Sequence, residues 1–210
     1  MLKTMIVSVA LFMASLASAQ STQFTPYNGL SQSPERHIKM WAFSGVASML
    51  SINEASAAEQ GVKKDGLLIS FIGDYYDNGW LTSIGFGSLF YEDERAFKQR
   101  TVDDRGREYD SESSAIGFLL SGASGYQWSF GSKRNTHLSL QGGYELFLES
   151  QRSIGSCSNC ASEKIDLDAG VFSKFRLLHN VGNSAVGLQF VKYLSDDLDY
   201  SIGLLWSSRY

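Results

Sequence analysis

The chain is poor in proline and cysteine, with two of each in 210 residues. Two cysteines exclude a disulfide-rich mini-domain. Charge is also scarce. Charged residues make up 19% and the formal net charge is −4, so nothing points to nucleic acid. Low charge beside 13% aromatics excludes a disordered chain. After the first twenty positions no run of about 18 apolar residues occurs, so no helix is expected to span a membrane. Helical 3.6-residue patterning is scarce as well. Glycine and aromatics are abundant instead: 20 Gly, 13 Phe, 10 Tyr and 4 Trp.

Residues 1–19 read as an export signal. Lys3 supplies the charge, Met5 to Leu16 the short apolar stretch, and Ala17-Ser18-Ala19 the small-residue cleavage site. Residues 20–36, with Pro26, Asn28, Gly29 and Pro34, read as an irregular N-terminal segment. From 37 to 210 the dominant signal is period-2 alternation, which predicts strands at 37–50, 66–77, 79–92, 113–130, 136–150, 163–178, 184–194 and 198–210. The connections alternate long and short except at the last. The second is an Asp77-Asn78-Gly79 hairpin signal. Long loops are expected at 51–65, 93–112 and 151–163.

Most strands carry one apolar and one polar face. Tyr200, Ile202, Leu204 and Trp206 oppose Asp199, Ser201, Gly203 and Ser207. Leu138, Leu140, Tyr144, Leu146 and Leu148 oppose Ser139, Gln141, Gly143, Glu145 and Glu149. Ile165, Leu167, Ala169, Val171 and Phe175 oppose Lys164, Asp166, Asp168, Lys174 and Arg176. The first strand is open in register, because Trp41 and Phe43 oppose Ile38, Met40 and Val46. A soluble barrel or sandwich would turn the apolar face inward, and a membrane barrel would turn it to lipid. Strand length favours the membrane, since a tilted span takes about 9–11 residues and soluble strands about 5–6. So do aromatics near strand ends, at Tyr76, Trp80, Tyr91, Tyr126, Trp128 and Trp206.

With its export signal, strand rhythm, loop alternation and aromatic C-terminal ending at Trp206 to Tyr210, the chain resembles the small eight-stranded outer-membrane barrels of the OmpA/OmpX type. The resemblance covers about 37–210 and identifies an architecture more than a family. It implies an all-β, eight-stranded antiparallel up-and-down transmembrane barrel in the outer membrane of a Gram-negative bacterium. Residues 20–36 would be periplasmic and the long loops extracellular. Outer-membrane lipid and lipopolysaccharide would be its surroundings. The barrel-assembly machinery would read the strand ending at Tyr210, and the protein would be a monomer.

A narrow barrel can be filled by its own side chains. Asp74, Glu145, Glu149, Asp166, Asp168, Lys174, Arg176 and Arg209 are the candidate lumen charge network, which would either fill the barrel or line a small pore. Arg95, Lys98, Arg100, Arg105 and Arg107 make the second long loop a candidate surface-interaction segment. Cys157 and Cys160 are read as a disulfide in the third long loop. No metal motif or cofactor is expected. Some small barrels modify lipid A with a His-based site at the outer surface, but His37, His137 and His179 all fall at the opposite end, and no Gly-x-Ser-x-Gly elbow occurs. The expected role is structural or surface-interactive, with a passive pore as the alternative and lipid-modifying catalysis third.

Overall fold

The computed structural model describes residues 39–102, 106–131, 135–154 and 160–208. The expected signal at 1–19 and segment at 20–36 lie outside these residues, as do Arg105, Cys157, Arg209 and Tyr210.

Eight long strands form the wall: β1 (Lys39–Ile52), β2 (Val62–Asp77), β3 (Trp80–Asp93), β6 (Ser114–Phe130), β7 (Thr136–Ser153), β9 (Gly170–Val181), β10 (Ser184–Tyr193) and β11 (Leu198–Ser208). They pair in the order β6-β3-β2-β1-β11-β10-β9-β7, and β6 pairs again with β7, so the sheet closes. Every pairing is antiparallel, including the β1–β11 seam between first and last strands. The short connections share one end. At the tightest, Asn78 and Gly79 both have positive φ, 50° and 87°, the conformation of an Asn-Gly hairpin turn.

The other end carries structure that alternation could not show. The first long loop holds α1 (Glu54–Gln60), capped by the Asn53 side chain, which accepts from Ala55 N at 3.0 Å, and ended by Gly61 at φ 65°. The second holds the hairpin β4 (Lys98–Val102) and β5 (Glu108–Glu112). In the third, β8 (Ser162–Lys164) adds to the end of β7. The strand expected at 163–178 is therefore two pieces.

Side-chain burial is inverted relative to a soluble protein. Leu204 is 69% exposed and Trp80 60%, whereas Arg152 and Arg176 are 1% exposed. Phe43, Phe71, Ile84, Leu140, Phe175, Leu188 and Ile202 all face outward around the cylinder. Water would not tolerate a continuous apolar belt of this kind, and lipid requires it. The fold is a transmembrane β-barrel whose strands span 10 to 18 residues. The first strand's register is settled: Trp41 and Phe43 face out and Val46 is fully buried. At the short-turn end Trp41 packs on Tyr75 and Trp80 on Tyr126, with centroids 5.1 and 6.1 Å apart, and Trp128 continues the girdle. Tyr76 and Tyr91, expected in such girdles, point inward instead.

Candidate functional site

Inward-facing side chains divide the lumen into layers. At mid-height, Asp74 on β2 meets Arg176 on β9. Arg176 Nη1 donates to both Asp74 oxygens at 3.0 and 2.9 Å, and its Nε donates to Gln189 Oε1 at 3.0 Å. Ser44 and Ser83 also donate to Asp74, and Gln141 Nε2 donates to Ser83 Oγ at 2.8 Å. Six strands, β1, β2, β3, β7, β9 and β10, thus share one buried ionic centre. Such a pair stabilises only if the remaining lone pairs and protons find partners, which these hydroxyls and amides supply for the carboxylate. Nearby, Tyr193 OH donates to Glu145 Oε1 at 2.8 Å, and Lys174 lies over the Phe172 ring, 5.6 Å from its centroid.

Toward the loop end the lumen is apolar. Leu50, Ile52, Leu89, Leu119 and Leu198 from the wall pack with Ala57 of α1 and with Ile165 and Leu167 of the third loop. This cap lies beneath the loops and fills the barrel. The inner face is therefore polar only in part, contrary to an inner wall of charged residues throughout.

Above the cap, Arg152 ties the loops together. Its Nε lies 2.7 Å from both Asp93 oxygens, Nη1 donates to Glu163 Oε2 at 2.8 Å, and Nη2 donates to the carbonyls of Gln60 and Gly61 at 3.0 and 3.1 Å. Around it, Arg95 Nη2 donates to Ala58 O at 3.0 Å, and Asp166 N donates to Gln60 Oε1 at 2.9 Å. Asp197, on the short connection between β10 and β11 that forms a fourth loop at this end, accepts from Ser56 Oγ and from Asp168 N. All four loops are joined.

Of the expected lumen charges, Asp74, Glu145, Lys174 and Arg176 face inward. Glu149, Asp166 and Asp168 do not and are corrected: all three are exposed. A bulge at Phe118/Leu119 shifts the β6–β7 register, so that Glu149 turns out while Ser150 and Arg152 turn in. Gly170, at φ 69°, reverses the alternation before β9. Ile165 and Leu167 then point into the barrel on one side of it and Lys174 and Arg176 on the other, leaving Asp166 and Asp168 on the outer surface. Arg152 was missed by strict alternation, because only the bulge brings it inside. Asp93 keeps the inward parity of Leu89 and Tyr91 and was missed because it was read as the start of the loop 93–112.

Arg95 packs on α1, while Lys98, Arg100 and Arg107 are exposed in or beside the β4–β5 hairpin. Arg100 pairs there with Glu108 at 2.8 Å. Cys160 is disulfide-bonded. His137 accepts or donates at 2.9 Å with Ser129 and His179 at 3.0 Å with Thr136, both at the short-turn end. No group of three or more metal-ligating side chains occurs among the described residues.

No family model matches this sequence. No curated protein matches it either. Among solved structures it is similar to Neisserial surface protein A, with 7% identity and a TM-score of 0.49, over 81% of this chain and 96% of that one.

Proposed function

We propose that this protein is a sealed barrel of the bacterial outer membrane that presents a tied set of extracellular loops as an interaction surface. One observation carries the reading: an apolar cap fills the loop end of the lumen, and the buried Arg152 holds the loops above it. A polar, water-filled path is what conduction needs, and the cap interrupts it. The same ties pre-organise the exposed rim, which reduces the ordering cost of binding a partner. The β4–β5 hairpin, with Lys98, Arg100 and Arg107 beside Glu108 and Asp110, is the segment that offers most charge to a partner or to lipopolysaccharide phosphates. Assembly through the C-terminal strand and export by residues 1–19 complete the proposal.

Two measurements test it. Refolded protein in a planar bilayer is expected to show no conductance steps, and steady single-channel openings would overturn the sealed reading. A cysteine placed at Lys98 is expected to react with a membrane-impermeant maleimide on intact cells. Labelling only after the outer membrane is disrupted would overturn the orientation.

A further inference from the structure

On the outer wall one ammonium stands inside the apolar belt. Lys192 of β10 points outward and is exposed. The next outward residues on the same chain are Phe190 toward the short turns and Leu194 toward the loops, both exposed. Leu194 is held in the sheet, since its N–H donates to Val171 O at 2.8 Å, and Val171 is exposed as well. The belt therefore continues past Lys192 toward the loop end. Opposite Lys192 on β11 is Tyr200, stacked on Phe190 with centroids 6.2 Å apart. No carboxylate among the described residues lies within ion-pair distance of Lys192.

In the other direction the ladder leads from Lys192 through Ser173, Gly142, Ser124 and Thr82, one residue each from β9, β7, β6 and β3. All four are exposed. A Cβ added at Gly142 would meet nothing within 4 Å. Larger exposed side chains flank the row, Val171 and Tyr144 on its loop side and Phe175 and Leu140 on its turn side. The row is a furrow in the belt. Lys192 is near the loop end of β10 and Thr82 near the short-turn end of β3, so the furrow descends obliquely through the membrane. At about 4.8 Å per strand it is about 19 Å long.

A charge facing lipid is costly unless it finds a partner. Protein supplies none to Lys192, and a lysine meets a phosphate as a point charge. We propose that Lys192 and the furrow form a site for one lipid that carries a phosphate above an acyl chain. The ammonium holds the phosphate, and the chain lies over Ser173, Gly142 and Ser124. The site rests on the outer-membrane reading above, in which the loop end faces out. The phosphate-bearing lipid of that leaflet is lipopolysaccharide, so the occupant is its lipid A.

The test is native mass spectrometry of the refolded full chain in non-ionic detergent, titrated with bis-phosphorylated lipid A, with its dephosphorylated form and with phosphatidylglycerol. Lipid A is expected to bind the barrel most tightly. Lys192→Met is expected to lower that affinity several-fold, to the level of the dephosphorylated form. Gly142→Leu, which fills the furrow, is expected to weaken both forms. Lys63→Met, at an exposed cation already paired with Glu92 at 2.6 Å, is expected to change nothing. Equal lipid A affinity for the wild-type chain and Lys192→Met, or an equal loss in Lys63→Met, would overturn the site. Tighter binding of phosphatidylglycerol would overturn lipid A as its occupant. If Lys192→Met does not fold, Gly142→Leu and the dephosphorylated lipid decide the question. Binding in detergent does not depend on orientation, which the labelling of intact cells tests by itself.

Discussion

Asp74 and Arg176 lie 102 positions apart in the chain and on strands that are not neighbours, yet two hydrogen bonds join them across the lumen. Each is about 1% exposed. Asp74→Ala strands a guanidinium inside the barrel, and removing one partner of a buried pair costs about 3–5 kcal/mol. Urea unfolding in lipid vesicles is expected to show a loss in that range. The double variant Asp74→Leu/Arg176→Met is expected to recover most of it, because an apolar pair needs no partners. A double variant as unstable as the single one contradicts this account.

Arg152→Met removes the tie between β3, α1 and the third loop while keeping the side chain's length. Asp93, only 6% exposed at its side chain, loses its cation. Amide exchange at α1 and at 160–168 is expected to speed up by at least about tenfold while exchange in β9 to β11 is unchanged. Uniform acceleration across the barrel would show that Arg152 supports the wall and not the loops.

The outward belt and the outer rim answer differently to charge. Leu204→Arg places a cation against lipid and is expected to cost about 2–4 kcal/mol near mid-membrane. Asp166→Ala, at an exposed site above the barrel, is expected to stay within about 0.5 kcal/mol. A large loss for Asp166→Ala in the same unfolding assay would return that residue to the lumen.

Gly170 is the pivot between the third loop and β9. An added Cβ would sit 3.2 Å from Ser195 Cβ in a backbone conformation that side chains avoid. Gly170→Ala is expected to cost about 1 kcal/mol or more. Gly142→Ala, with ordinary φ and nothing within 4 Å, is the matched control and is expected to be near neutral.

These contrasts show how far the sequence could be read. The wall was legible because lipid on one side enforces period 2. The alternation of Leu138, Leu140, Tyr144 and Leu146 maps directly to their outward positions, and Asn78-Gly79 marks its turn. Asp74, Glu145, Lys174 and Arg176 were legible for the same reason. What failed was parity carried across an interruption. A bulge inserts a residue without leaving a distinctive signature, so Glu149 and Arg152 exchanged sides unseen. Gly170 was the visible warning between Ala169 and Val171, since glycine alone enters that conformation freely. The apolar cap was hidden for a different reason. Ile165 and Leu167 look identical in pattern to lipid-facing residues, and only the closed fold shows that they face inward.

The cap also links leak-tightness to assembly. Ile52 and Leu198 belong to β1 and β11, whose pairing joins the first strand to the last and closes the cylinder, and both are essentially unexposed. Until that seam forms, the plug lacks part of its own material. On the sealed reading proposed above, a barrel that has not finished closing has no stopper, and one whose β1 and β11 have paired needs no separate step to be made impermeable.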